Sequence, residues 1–377
     1  MKKLQIGVVA TERYFSTDVL VGILQRLPPS SRRRARLVCR HWRELVDGRT
    51  TEMRSRAKLL IWDTLTTTAY VVDDMSASPR RRPRRLYRCH KSLVGTCNGL
   101  LCLCGDERAP GGGAVVTVVN PSTCETLAVP PPPRRCHDRN RKRWHEQYSF
   151  AYHPITGRYK VVHLPCSLDS VCSFNAVHVF TLGETAWREA PVGPGGARCN
   201  LAAGVVSIDG TTHWVRIMPS GLAVEVVSFD LGDERVSAAA APLPTPLARD
   251  ASYHLTEVHG RLGFVQGGHR ADVWVLEEGR RWSLRYILGQ PVPRPQFTYP
   301  GQCVLTVRDE SAFSAHWWKG SPMSSGRRLR HDDVMRVGYR DEGTLVANMM
   351  APHCSDEGYQ TFAYVETKEP LHYYGSS

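Results

Sequence analysis

Residues 15–46 read FSTDVLVGILQRLPPSSRRRARLVCRHWRELV. Apolar residues recur in the first half of this segment at steps of three and four, which places their side chains on one face of a helix. These residues are Val19, Leu20, Ile23, Leu24 and Leu27. The pattern predicts an amphipathic helix whose N-terminus is capped by Ser16 or Thr17. Pro28 and Pro29 end it, because proline lacks the N–H group that the next turn requires.

The second half of the segment predicts another amphipathic helix, capped by Ser30 or Ser31 and ended by Gly48. Its apolar residues are Ala35, Val38, Cys39, Trp42, Leu45 and Val46. Two short helices, about forty residues in all, bury too little apolar surface to form a stable core of their own. Their apolar faces therefore need a partner, which spacing alone leaves as either the rest of this chain or a second protein.

The order of residue types in this segment resembles an F-box. It runs from Asp18 through an apolar stretch that ends in Leu-Pro, then Arg34 and Arg36, Val38-Cys39 and Trp42-Arg43. In F-box proteins such a segment docks on a small SKP-type adaptor, which connects to the cullin and RING subunits of an SCF ubiquitin ligase. The resemblance implies an adaptor contact made by Phe15, Asp18, Val19, Leu20, Ile23, Leu24, Leu27, Pro28, Val38, Cys39 and Trp42.

Length and composition suit one large domain behind this module, since the chain has 377 residues and 42% of them are hydrophobic. We expect an N-terminal tail at 1–12, the helical module at 13–49, a polar connector at 50–57 and a β domain at 58–377. No apolar stretch is long enough to span a bilayer, and the N-terminus lacks the pattern of a signal peptide. The expectation is a soluble α+β multidomain protein of the nucleus and/or cytoplasm.

Beyond residue 58 the helical period disappears and short strand patterns take its place. The kernel Phe-X-Leu-Gly-acid occurs at 180–184 and at 229–233. This spacing of about fifty residues is near the length of a four-stranded propeller blade with its loops. The pattern predicts an all-β domain that is a β-propeller of six or seven blades. We expect the strand at 361–366 to close the ring by pairing with the strands at 58–73.

Two motifs of this domain resemble the F-box-associated domain of plant F-box proteins. They are Cys-Asn-Gly-Leu-Leu-Cys at 97–102 and Asn-Pro-Ser-Thr at 120–123, and the hairpin at 149–164 fits the same domain. The stretch at 267–282 resembles one degenerate kelch repeat. The resemblance implies a kelch-like β-propeller that binds a client protein.

The sequence contains no Walker loop, nucleophile elbow, zincin helix or dinucleotide fingerprint. Cys97, Cys102 and Cys104 form the densest cysteine group, with Cys89 and His90 upstream. Their spacing matches no zinc knuckle or ribbon, so we expect core thiols rather than a metal site. A chain of this size favours reduced thiols over a disulfide framework. We expect a non-catalytic protein without metal or cofactor. A propeller enzyme such as a hydrolase or lyase is a third reading, which would need acids or histidines at the central channel that the sequence does not identify.

Arginine runs at 32–36, 80–88 and 134–143 contribute much of the formal net charge of +13. Such runs are most often solvated, but they also suit nuclear import signals or an acidic or phosphorylated client, which arginine binds bidentately. They lack the interleaved aromatic residues of a nucleic-acid stacking platform, so nucleic acid is an unlikely partner. Trp317 and Trp318 are weak candidates for a client-binding anchor, with packing under a loop as the alternative.

Taken together, the sequence predicts the substrate-receptor subunit of an SCF E3 ubiquitin ligase. Its F-box binds the SKP-type adaptor, and its propeller recruits an unidentified client for ubiquitination. The alternative is a non-catalytic basic scaffold whose arginine-rich loops bind nucleic acid or acidic partners. Salt distinguishes the two, since a contact to phosphates weakens steeply as salt rises and an apolar interface does not.

Overall fold

The computed structural model describes residues 16–27, 29–36, 38–49, 58–64, 66–72, 84–105, 116–133, 147–166, 172–193, 197–217, 224–237, 241–244, 252–258, 260–267, 271–277, 281–288, 295–298, 303–309, 312–317, 327–328, 330–340, 344–348 and 359–375. The chain divides into two compact units, Met1–Arg54 and Ser55–Ser377. Within the described ranges, no helix has the length and apolar character that a membrane crossing requires.

The described residues of the first unit form three helices. They are α1 (Thr17–Arg26), α2 (Pro29–Ala35) and α3 (Arg40–Arg49). Each helix packs on both of the others. As predicted, Ser16 caps α1, and its hydroxyl oxygen accepts the N–H of Val19 at 3.4 Å.

The single second helix predicted from the sequence is wrong, because α2 ends at Ala35 and α3 begins only at Arg40, with turns at Arg36 and Val38. Pro29 occupies the first position of α2, where a missing N–H is tolerated. The Sγ atom of Cys39 accepts the N–H of Trp42 at 3.5 Å, just inside the start of α3. Because the chain turns between α2 and α3, both helices pack against α1 as separate elements.

The described residues of the second unit form six sheets of four or five strands, here called blades 1 to 6. Blade 1 contains β29 (Tyr359–Tyr364), β1 (Lys58–Asp63), β2 (Thr68–Val72) and β3 (Arg84–Arg88). Blade 2 contains β4 (Ser92–Cys97), β5 (Leu100–Cys104), β6 (Val116–Asn120) and β7 (Glu125–Ala128). Blade 3 contains β8 (Tyr148–His153), β9 (Arg158–His163), β11 (Ala176–Thr181) and β12 (Arg188–Pro191). A separate pair contains β10 (Cys172–Phe174) and β13 (Ala197–Cys199).

The remaining blades each have five strands. Blade 4 contains β14 (Val206–Ile208), β15 (Thr211–Ile217), β16 (Val224–Asp230), β17 (Arg235–Val236) and β18 (Ala241–Pro242). Blade 5 contains β19 (Ser252–Val258), β20 (Arg261–Gly267), β21 (Ala271–Leu276), β22 (Trp282–Leu288) and β26 (Arg327–Arg328). Blade 6 contains β23 (Pro295–Thr298), β24 (Cys303–Asp309), β25 (Ala312–Trp317), β27 (Arg330–Arg340) and β28 (Thr344–Asn348). Short 3-10 helices lie at Leu201–Ala203 and His372–Tyr374.

The six blades form a closed ring. The first strands of consecutive blades, β29, β4, β8, β14, β19 and β23, contact one another in this order, and β23 contacts β29. A ring of radially arranged sheets is a β-propeller, as the sequence predicted. The sequence left the number of blades open between six and seven, and the described part of the chain contains six.

Blade 1 joins the two ends of the unit, as predicted. β1 pairs antiparallel with β29, in register from Lys58 opposite Tyr364 to Asp63 opposite Tyr359. All of β1 beyond its first residue is buried. Strands from opposite ends of the unit thus share one ladder, so opening the ring requires breaking a hydrogen-bonded sheet.

The repeated Phe-X-Leu-Gly-acid kernel has the same place in two consecutive blades. Phe180 and Phe229 lie in the third strands, β11 and β16, and each is buried. Leu182 and Leu231 follow in the next turn and are buried as well. The kernel therefore anchors the turn between the third and fourth strands to the core between blades, which explains its spacing.

The Asn-Pro-Ser-Thr motif holds the C-terminal segment, residues 365–375. The side-chain amide of Asn120 donates to the carbonyl oxygen of Glu369 at 2.7 Å, and its oxygen accepts the N–H of Ser122 at 2.9 Å. A carboxylate oxygen of Glu125 accepts the N–H of Leu371 at 2.9 Å. The segment that follows β29 in blade 1 is thereby hydrogen-bonded to blade 2. These bonds add a second connection between the C-terminal end of the unit and its first blades.

Candidate functional site

The helical unit has a small apolar core. Its buried members are Leu20, Leu24, Ala35, Leu45 and Val46. Leu24 is completely buried, and Leu27 and Trp42 pack partly buried at the edge of the cluster. The expectation that these helices cannot form a core of their own is too strong. Three helices rather than two pack together, and α3 contributes Leu45 and Val46 to the core.

A second set of apolar side chains on this unit is exposed. Val19 and Ile23 are 48% and 42% exposed, and they lie one turn apart on the same face of α1. Val38, in the turn before α3, is 63% exposed. In the described residues, only Ile155 and Tyr373 are other large apolar side chains with such exposure. Three of these five residues thus lie in the small helical unit, a concentration typical of an interaction surface.

The residues predicted to contact the adaptor fall into three groups. Exposed in the structure are Asp18, Val19, Ile23, Val38 and Cys39. Buried or partly buried are Leu20, Leu24, Leu27 and Trp42. Outside the described residues are Phe15 and Pro28. The exposed group can reach a second protein, whereas the buried group sets the positions of the helices. Both groups recur at helical spacing, so the sequence pattern could not separate them.

The two candidate client-binding tryptophans lie at the end of a strand in blade 6. Trp317 is the last residue of β25, and its Cα partners are Cys303 of β24 and Arg330 of β27. Trp317 therefore belongs to a β-strand. Trp318 lies outside the described residues.

Two buried histidines of blade 3 form a pair. The Nδ1 atoms of His163 and His178 are 3.1 Å apart, so one ring donates and the other accepts. The Nε2 atom of His163 faces the side-chain oxygen of Gln147 at 3.3 Å. Burial, together with the neighbouring His178, lowers the pKa of His163 to about 3. A neutral, buried ring of this kind supports the fold and is poorly placed for acid–base catalysis.

An ion-pair network connects blade 3 to blade 4. The buried ammonium of Lys160 donates to Glu234 at 2.6 Å and to the carbonyl oxygen of Leu231. Arg188 donates from Nε to the same carboxylate at 3.0 Å. Burial alone raises the pKa of Glu234, but hydrogen bonds from Arg188 and Lys160 outweigh it and lower the pKa below its ordinary value. Both cations of blade 3 bind the carboxylate of Glu234, which follows the third strand of blade 4, so the network stabilises the contact between these blades.

The cysteine group of blade 2 lies mostly in the core. Burial raises the pKa of Cys102 well above its ordinary value and also raises that of Cys89, so neither thiol is readily ionised. Across the described ranges, no three His, Cys, Asp or Glu residues are placed to hold a metal ion. Cys166 is bound in a disulfide, so the expectation of reduced thiols is wrong at that residue.

Comparison with known proteins identifies relatives of both units. The F-box domain model matches residues 15–51, and the F-box associated beta propeller domain model matches residues 66–309. The Arabidopsis thaliana F-box protein At3g07870 is 24% identical over 331 residues, which covers 77% of this chain and 76% of that protein. The putative F-box protein At1g32420 of the same plant is 24% identical over 299 residues, with coverages of 74% and 91%. The solved structure of YjhT covers 75% of this chain and 91% of its own at a TM-score of 0.40 and 11% identity, a likeness too loose to bear on function.

Proposed function

The chain belongs to the F-box proteins that carry an F-box associated β-propeller domain, and we propose that it is the substrate-receptor subunit of an SCF ubiquitin ligase. The helical unit binds a SKP-type adaptor, which connects to the cullin and RING subunits. The propeller binds a client protein in the nucleus and/or cytoplasm. The receptor itself makes and breaks no bonds. It raises the effective concentration of the client's lysines at the ubiquitin-charged enzyme.

The observation that carries the proposal is the exposed apolar set Val19, Ile23 and Val38 on a folded helical unit. Each side chain is about half exposed, so covering it completely contributes about 1 kcal/mol. Three such side chains contribute about 3 kcal/mol, or more than a hundredfold in Kd. Leu20 and Leu24 have a different role in this proposal, because they hold α1 in the orientation that presents Val19 and Ile23.

The test is a calorimetric titration of the full chain with a SKP-type adaptor. Replacing Val19→Ser and Ile23→Ser together removes two exposed contacts, so the Kd rises about thirtyfold, corresponding to about 2 kcal/mol. Circular dichroism and the melting temperature remain those of the unchanged chain, because neither side chain lies in the core.

The matched control is Ile155→Ser, which removes an even more exposed apolar side chain from the turn between β8 and β9 of the propeller. It leaves adaptor affinity unchanged. Unchanged affinity of the Val19 and Ile23 variant would contradict this assignment of the contact surface, and no measurable binding of the original chain would contradict the proposed function itself.

A further inference from the structure

The outer edge of blade 1 is a short arginine-rich strand. β3 is the last strand in the sheet order of that blade, and it pairs with β2 on one side. No strand of the described chain pairs with its other side. Backbone N–H and C=O groups along such an open side are able to bind a further extended segment.

The side chains of β3 divide into an inner and an outer set. Leu86 and Tyr87 are partly buried against the apolar core of blades 1 and 2. Arg84, Arg85 and Arg88 are exposed. At about 3.3 Å per residue, the three guanidinium groups are distributed along a strand of about 13 Å. The apolar contacts thus fix the strand while the arginines project from it.

One carboxylate of the chain already binds at this row of cations. Glu366, two residues after the end of β29, accepts a hydrogen bond from Arg84 at 2.6 Å and lies 3.2 Å from the ammonium of Lys58. Arg85 and Arg88 form no ion pair with any residue that the structure describes. Arg85 and Arg88 lie opposite Tyr70 and Thr68, on the other face of the strand from Arg84, and within the described residues no carboxylate of the chain neutralises them.

Blade 5 shows that the outer strand of a blade in this chain can accept a further short segment. Its outer strand β22 accepts the two residues of β26, Arg327 and Arg328, as a fifth strand opposite Tyr286 and Ile287. Blade 1 has only four strands in the described part of the chain. An extended segment from another protein would complete blade 1 in the way that β26 completes blade 5.

Charged residues and irregular register also protect edge strands from aggregation. The pairing of β2 with β3 shifts register between Ala69 and Tyr70, and the arginines repel a basic or identical strand. These features select among partners rather than exclude all of them, because an anionic strand gains from the same charges that repel others. The formal net charge of +13 favours approach of an anionic partner.

We propose that β3 is a docking strand for an extended anionic peptide segment of the client, which adds to blade 1 and pairs its carboxylates or phosphates with Arg85 and Arg88. That the segment belongs to a client rests on the proposed receptor function, whereas the peptide site does not. Nucleic acid fits the strand less well, because its one aromatic residue, Tyr87, packs on the core and does not offer a free stacking face.

The experiment measures fluorescence anisotropy of a labelled ten-residue peptide of alternating glutamate and threonine, titrated with the full chain. Replacing Arg85→Glu and Arg88→Glu together weakens binding at least tenfold. The matched control carries the same charge change on two other exposed strand residues, Arg198→Glu and Arg235→Glu, and weakens binding less than threefold. A phosphoserine version of the peptide shows whether carboxylate or phosphate binds more tightly, and binding of either supports the site.

A second peptide, with proline in place of threonine, tests strand addition separately from charge. It carries the same glutamates but fewer backbone N–H donors, so its binding falls at least tenfold. Three results overturn the proposal: equal weakening by both charge-reversal pairs, full binding of the proline peptide, or tighter binding of a single-stranded oligonucleotide that depends on Arg85 and Arg88.

Folding and receptor function are checked on the same preparations. Each variant must melt at the temperature of the original chain, and Arg85→Gln with Arg88→Gln replaces the glutamate pair if that pair unfolds. Adaptor binding is titrated in parallel. If the peptide does not bind while the adaptor does, the docking strand alone is overturned. If the adaptor does not bind while the peptide does, the receptor function alone is overturned.

Discussion

Alanine in place of Gly99 tests how the C-terminal segment closes the propeller. Gly99 follows β4 in a tight turn, and its φ of +84° lies in the left-handed region. A Cβ atom there would overlap the carbonyl oxygen of Val365 and lie 2.7 Å from Cγ2 of Thr367. The overlap involves backbone, so the segment 365–375 must move away from blade 2 to relieve it.

The expected destabilisation follows from the interactions that this movement breaks. Left-handed backbone costs alanine about 1 to 2 kcal/mol. Displacement breaks the hydrogen bonds Asn120 to Glu369 and Leu371 to Glu125, each worth about 1 kcal/mol. It also exposes the buried side chain of Leu371, which costs about 2 kcal/mol. Gly99→Ala therefore destabilises the propeller by about 5 kcal/mol.

The matched control is Gly183→Ala. Gly183 has a φ of +97°, and no atom lies within 4 Å of a Cβ built on it, so only the backbone cost of about 1 to 2 kcal/mol applies. The assay is thermal unfolding followed by circular dichroism. At about 2.1 cal/mol/K of unfolding entropy per residue, a unit of roughly 320 residues loses about 1.5 °C per kcal/mol. Gly99→Ala lowers the melting temperature by about 8 °C and the control by about 2 °C. Equal shifts would show that the added methyl group does not displace the C-terminal segment.

Three further predictions concern buried groups. Lowering the pH from 7 to 5 destabilises the propeller by about 2 kcal/mol through His163, whose pKa is about 3 in the folded chain, so only the unfolded chain takes up a proton in this window. This stabilisation is present above pH 6.5 and is lost as the pH falls toward 3. The check is urea unfolding at pH 7 and pH 5, in which the free energy of unfolding of His163→Gln falls less than that of the original chain. Glu234→Gln leaves the ammonium of Lys160 buried without its countercharge and costs about 3 kcal/mol. The exposed counterpart Glu366→Gln costs less than about 1 kcal/mol in the same urea titration. Leu24→Asp places a charge in the helical core, so it abolishes co-purification with the adaptor while the melting transition of the propeller stays unchanged.

The closure of the ring could be predicted from the sequence, because strand patterns at both ends of the β domain suggested a shared sheet. The pairing of β1 with β29 confirms this. The kernel at Phe180 and Phe229 was informative for a physical reason, since each copy anchors the same turn to the core between blades.

The break between α2 and α3 could not be predicted from periodicity. Val38 and Cys39 continue the three-and-four spacing of the preceding residues although the chain turns there. For the same reason, spacing placed Val19 and Leu24 in one stripe, whereas packing against α3 buries only Leu24. The C-terminal segment was missed because residues 365–375 have no periodic pattern, and its ties to Asn120 and Glu125 are long-range.

The most direct test of the receptor function is co-expression of the full chain with a SKP-type adaptor, followed by size-exclusion chromatography at low and at high salt. We expect a one-to-one complex that persists at high salt, because the contact through Val19, Ile23 and Val38 is apolar. A chain that elutes free of the adaptor at both salt concentrations, or that retains nucleic acid at low salt and releases it at high salt, would contradict it.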